Sequence, residues 1–183
     1  MAVMVADGDL GMAAPDFRLK DPGGSEVGLQ DVRGENGTLV MFICNHCPYV
    51  KAIAGRIARD AKDLKAKGIG VVAIMPNDYA SFPDDAPDRM AVFADSHGFD
   101  FPYLVDETQG VAKAYGAVCT PDFFGFDKDL KLTYRGRLDE SRAQPAAPDA
   151  KRDLYDAMVQ VADTGAAPAE QHASMGCSIK WRT

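Results

Sequence analysis

Leu39-Val40-Met41-Phe42-Ile43 runs straight into Cys44-Asn45-His46-Cys47-Pro48, and few architectures accept such a junction. An apolar run of this length, with no polar residue to mark a solvent face, reads as a strand buried on both sides inside a sheet. Directly after the second cysteine, apolar residues recur at Val50, Ile53, Ala54, Ile57, Ala58, Ala61 and Leu64. That is helical spacing, and Pro48 suits a first helical turn, where a missing N–H costs nothing. The cysteines therefore stand where a buried strand hands over to a helix. Cys44 is expected near the helix N-terminus, where free amides and the helix dipole favour a negative charge such as a thiolate. Two cysteines this close can also interconvert between dithiol and disulfide.

The remaining pattern alternates strands with helices. Ala14–Leu19 and Glu26–Leu29, joined by Asp21-Pro22-Gly23-Gly24, predict a hairpin. The apolar run then predicts a strand over 38–43 and the periodic stretch a helix over 48–67, stopped at Gly68. Val71–Met75 is a second buried strand, so strand, helix and strand make a βαβ unit. Residues 77–87 are polar and proline-rich and read as a loop. A helix over 88–97, a strand at 101–105 and a short helix at 108–115 follow. Residues 121–126 and 130–135 predict a hairpin, and 152–162 a last helix with Leu154, Met158 and Val161 on one face. Residues 1–14 read as a loose arm. The tail 166–183 ends in Ser174-Met175-Gly176-Cys177-Ser178-Ile179-Lys180-Trp181, an apolar and aromatic segment expected to pack on the body.

The junction resembles that of thioredoxin-like proteins. Ala14-Pro15-Asp16-Phe17, with Leu19, Asp21, Gly24 and Leu29, resembles the opening of the peroxiredoxin and membrane-tethered thioredoxin branch, the redoxins. The resemblance covers roughly residues 12–165. It implies a thioredoxin-like three-layer α/β fold, a central mixed β-sheet flanked by helices, with an N-terminal β-hairpin extension, in one domain over 1–183. It implies a thiol–disulfide oxidoreductase in which Cys44 attacks and Cys47 resolves the mixed disulfide, so the redox group is the chain's own disulfide and no cofactor or metal is needed. His46 resembles the histidine of CxHC disulfide isomerases, and an imidazole there would stabilise the Cys44 thiolate. Pro121 takes the place of the family's cis-proline, and Thr120 would then pair its backbone with an extended substrate. Cys119 reads as either a further redox thiol or a small core residue, and Cys177 as a further thiol of unassigned reach. The implied partners are a disulfide-containing protein or small thiol and a separate thiol reductant or oxidant.

Two departures bear on the alternatives. The buried acid of thioredoxin is replaced by Thr38, and the proline and hydroxyl of the peroxiredoxin motif by Gly37 and Met41. A peroxidase using Cys44, with antioxidant activity, is the second reading. A zinc-binding or interaction module is the third, although a closed zinc site wants a second pair of ligands. The balance of 27 acidic against 20 basic side chains, a formal net charge of −7, argues against nucleic acid or an anionic membrane as partner. No stretch is long and apolar enough to span a bilayer. Met1–Asp7 has no basic region and too short an apolar run for a signal peptide, so the expectation is a cytoplasmic protein.

Overall fold

A computed structural model describes residues 2–4 and 9–183. In chain order its elements are β1 (Ala2–Met4), β2 (Arg18–Lys20), β3 (Glu26–Gly28), α1 (Leu29–Val32), β4 (Gly37–Phe42), α2 (Pro48–Lys65) and β5 (Ile69–Met75). There follow α3 (Pro87–His97), β6 (Tyr103–Val105), α4 (Gly110–Tyr115), β7 (Cys119–Thr120), β8 (Asp122–Phe126), β9 (Leu132–Gly136), α5 (Asp153–Thr164) and β10 (Met175–Ser178). The apolar run of the sequence is β4, buried at every position in the middle of a seven-stranded mixed sheet of order β3-β2-β6-β5-β4-β8-β9. It runs parallel to β5, with Val40 opposite Val72, and antiparallel to β8, with Val40 opposite Phe124.

Side chains alternate between the faces of a strand. Leu39 and Met41 therefore enter one core with Val50, Ile57 and Leu64 of α2, Met90 of α3, and Leu154 and Met158 of α5. Val40 and Phe42 enter the other, with Leu29 and Val32 of α1 and Ala112 and Tyr115 of α4. Each large apolar side chain sealed in this way contributes roughly 1.5–3 kcal/mol relative to exposure. The result is three layers, with α2, α3 and α5 on one side of the sheet and α1 and α4 on the other. Helix α2 buries the predicted stripe and carries Lys62 and Lys65 in its last turn, where they complement the dipole. Helix α3 stops at Gly98, whose φ of 69° is left-handed. Among the described residues no helix is long and apolar enough to cross a membrane.

Several details differ from the sequence reading. The opening hairpin is present, with Leu19 opposite Val27, but its first strand is only Arg18–Lys20. The last hairpin strand pair begins at Asp122, because Pro121 has no N–H to give to a ladder. The expected loop over 77–87 contains a 3₁₀ turn, Pro83–Asp85.

The loose arm over 1–14 is corrected where it is described. Ala2–Met4 pair with β10, Ala2 opposite Cys177. Gly11 N–H donates to Leu132 O at 2.7 Å, and Ala14 N–H to Leu130 O at 2.8 Å. Both pairings give backbone groups partners along strand edges that would otherwise stay open. Met1 and residues 5–8 lie outside the described residues. The tail supplies β10, which is the centre of a second, three-stranded sheet of order β1-β10-β7. Beyond it Ile179 is buried and donates to Val118 O at 3.0 Å, while Lys180 O accepts from Asp78 N–H at 2.9 Å and Gln109 Nε2 at 2.8 Å.

Candidate active site

The end of β4 delivers both cysteines to the start of α2. Cys47, and not Cys44, caps the helix, because Pro48 takes its first position. Cys44 sits before the helix, at the end of the buried strand. Both thiols are at 0% exposure. The Thr120–Pro121 peptide is cis, and Thr120 touches both sulfurs. Its Oγ1 shares a hydrogen bond with Cys44 Sγ at 3.3 Å, and its carbonyl oxygen lies 3.3 Å from Cys47 Sγ.

Negative charge is shared unevenly between the two sulfurs. The Cys44 thiol hydrogen-bonds the Cys47 sulfur and lowers it to about 5, against the cost of burial. The thiol and N–H of Cys177 and the Val50 N–H at the helix start add to that lowering. Cys44 is pushed well above the ordinary thiol range by the same hydrogen bond, by burial and by the Asp85 carboxylate. Within the pair the raised thiol is thus Cys44 and the lowered one Cys47. Cys47 is the cap by its backbone, its carbonyl accepting from the Val50 N–H at 3.0 Å and the Lys51 N–H at 2.9 Å, with no side-chain cap bond.

His46 lies at the junction but turns toward Asp85, with Nδ1 2.6 Å from Oδ2 and its ring stacked on Phe82 at 5.9 Å. Asp85 is the buried residue the sequence reading missed. Its Oδ1 accepts from the Asn45 N–H at 2.8 Å and the His46 N–H at 3.3 Å, and Oδ2 accepts from Asn77 Nδ2 at 2.9 Å. Asn45 in turn accepts from Tyr103 Oη at 2.8 Å. Burial, then the Cys44 sulfur and Asp85, push the Tyr103 hydroxyl well up, so it stays protonated as a donor. This network fixes the Cys44–Cys47 turn. In the sequence Asp85 is one of several acids in an aperiodic loop, and no local signal separates it from Asp84 or Asp88.

Cys44, His46 and Asp85 each place a ligand atom within 4.8 Å of the others. A closed zinc site needs four such atoms. Cys47 is outside the set, and Asp85 already accepts three hydrogen bonds, so this donor set does not fit the zinc reading.

Thr120 does not present a free edge. Cys177 of β10 pairs opposite it, and Ser178 opposite Cys119. The position expected to hold a substrate backbone holds the chain's own tail instead. Gly176 lets the two backbones meet, since a Cβ there would collide with the Thr120 carbonyl. Ser174 pins the strap, its hydroxyl lying 2.6 Å from Gly136 O and 3.0 Å from Asp122 Oδ1, between which its one proton is shared. Cys119 is buried, 3.8 Å from Pro121 O, and its thiol is pushed up by burial and by Asp122. That environment suits an inert packed thiol.

The model of a family described as AhpC/TSA matches residues 10–135. A Mycobacterium tuberculosis protein provisionally named a peroxiredoxin is 30% identical over 115 residues, 63% of this chain and 68% of that protein. The thiol-disulfide oxidoreductase ResA of Bacillus subtilis is 28% identical over 124 residues, 67% of this chain and 64% of that protein. The crystal structure of an uncharacterized conserved protein from Geobacillus kaustophilus superposes with a TM-score of 0.93 at 45% identity, covering 100% of this chain and 97% of that one.

Proposed function

Because the chain belongs to the AhpC/TSA family, with a thioredoxin-like fold, we propose that it is a thiol–disulfide oxidoreductase working through Cys44 and Cys47. The observation that carries this reading is the pair itself. Two adjacent sulfurs sit at a strand-to-helix junction, both 3.3 Å from Thr120 atoms, and the Cys44 hydrogen bond lowers the Cys47 thiol. Cys47 attacks one sulfur of a disulfide R–S–S–R′, forming Cys47–S–S–R and releasing R′S⁻, which takes up a proton. Cys44 then loses its proton and attacks Cys47 Sγ, which closes the Cys44–Cys47 disulfide and releases RS⁻. The substrate gains two electrons, and a thiol reductant reverses the cycle. The names of the ResA relatives support this class of substrate.

The test is a thiol count. Protein equilibrated with excess oxidised glutathione should lose two thiols per chain, and the new disulfide should lie within residues 34–51, between Arg33 and Lys51. A protein that keeps all its thiols, or links others, refutes the assignment. A peroxidase reading rests on the Cys47 thiolate and on the mycobacterial relative's name. Hydrogen peroxide in place of glutathione in the same assay distinguishes the two.

Asp85 sets the potential of the pair. Its carboxylate lies within 4.8 Å of the Cys44 sulfur and works against a negative charge there. Asp85→Asn removes that repulsion and stabilises the reduced form, so the couple should become more oxidising by tens of millivolts. About 30 mV corresponds to a factor of ten in the equilibrium constant. Equilibration against glutathione reads the shift, and a more reducing variant contradicts it.

A further inference from the structure

The pair has a difficulty that the tail resolves. Cys44 and Cys47 are at 0% exposure, so a direct attack on an outside disulfide needs the site to open. Cys177 is only partly buried. It lies opposite Thr120 in the ladder, and the Thr120 carbonyl is 3.3 Å from Cys47 Sγ. The Cys177 thiol and N–H therefore sit beside the Cys47 sulfur and act on it. The order from inside to outside is Cys44, Cys47, Cys177. The strap that carries Cys177 is held on both edges, by β1 and β7, and anchored by Ser174 and Lys180. Reaching Cys177 requires none of those contacts to break.

Resting on the function proposed above, we infer that Cys177 is the outer thiol of a three-sulfur relay. It occupies the substrate's place on the Thr120 edge and passes disulfides between solvent and the buried pair. In the first step Cys177 attacks R–S–S–R′. Its S–H proton leaves with R′S⁻, and Cys177–S–S–R forms. The Cys47 thiolate then attacks Cys177 Sγ, making Cys47–S–S–Cys177 and releasing RS⁻, which is protonated from solvent. Finally Cys44 gives up its proton and attacks Cys47 Sγ. The Cys44–Cys47 disulfide forms, and Cys177 leaves and recovers a proton. The two electrons gained by the substrate come from the Cys44–Cys47 dithiol, and Cys177 ends as it began. In the reverse direction a thiol reductant enters through Cys177. The Cys177 thiol is pushed up to about 11 by burial and by the Cys47 sulfur, with Lys180 pulling it the other way. It therefore waits protonated and ionises as it reacts.

The peptides needed for the test are given by the sequence. Cleavage after Lys and Arg leaves Cys44 and Cys47 together on residues 34–51, Cys177 on 153–180 and Cys119 on 114–128. Reduced full-length protein is mixed with oxidised glutathione, quenched with acid and alkylated at successive times, then digested. In the wild type, 153–180 should carry glutathione first, the cross-link between 34–51 and 153–180 should follow, and the disulfide within 34–51 should come last. Cys44→Ser should stop at the cross-link. Cys177→Ser and Cys177→Ala should form the inner disulfide at least about tenfold more slowly, because a tethered thiol is replaced by one arriving from solution. The relay is overturned if both Cys177 variants oxidise at the wild-type rate and Cys44→Ser collects glutathione on Cys47 with no cross-link. In that case the inner disulfide still forms and the pair survives. A wild type that never forms it removes the pair and the relay together.

Discussion

A Cys47→Ser protein should exchange no disulfide above the uncatalysed background, and it should lose the thiolate signal that the wild type keeps in acid. Cys47 is held at about 5, so its sulfur is ionised from neutral pH down to that value and protonates only below it. The thiolate ultraviolet absorbance of the reduced wild type should therefore persist to about pH 5 and fall away below. In Cys47→Ser that acid titration should vanish, leaving absorbance that rises only at alkaline pH, where Cys44, Cys119 and Cys177 ionise. Loss of the nucleophile leaves no sulfur at the helix start to make the first bond inside the site. Cys119→Ser is the control and should keep both signal and exchange. If the acid titration remains in Cys47→Ser and disappears in Cys44→Ser, the assignment of charge is inverted.

Arg135→Leu should cost about 3–5 kcal/mol of folding stability near neutral pH, the penalty for stripping the partner from a buried charge. Asp122 is fully buried, and Arg135 Nη2 reaches its Oδ2 at 2.9 Å and Gly116 O at 2.9 Å. The guanidinium also lies over the Phe124 ring, 4.6 Å from its centroid. Burial raises the Asp122 carboxyl, and Arg135 and Ser174 hold it down. Without Arg135 the carboxyl rises further above its unfolded value. A raised carboxyl weakens the fold where it is ionised, so the deficit should be full at neutral pH, shrink as pH falls through the raised value and vanish below the unfolded one. Urea unfolding at neutral and acid pH measures this. A deficit below about 1 kcal/mol that does not change with pH would mean that the pair is not what holds β8 against β9 and the tail.

The core of the fold was readable because its signals are local. The apolar run that became β4 and the stripe that became α2 lie within single elements, and periodicity reports such things directly. The junction between them was readable for the same reason. Pro48 marks the first helical position, and that makes Cys47 the cap one turn after Cys44. What was not readable depends on pairing across the chain. Nothing near Thr120 in sequence says that Cys177 will lie opposite it, nor that Ala2–Met4 will cover the other edge of the tail. Asp85 belongs with these, since its burial under Asn45 and Asn77 comes from a loop folding over the site rather than from any pattern within the loop.

Gly176 makes the seat beside Thr120 selective by shape. The backbones approach so closely there that no side chain fits between them. A foreign peptide competing for that seat in the same register must carry glycine one residue before its cysteine, as the tail does. Most extended peptides would be refused on steric grounds before any chemistry began. Small disulfides, which bring no backbone, would escape that filter, which a single missing methyl group sets.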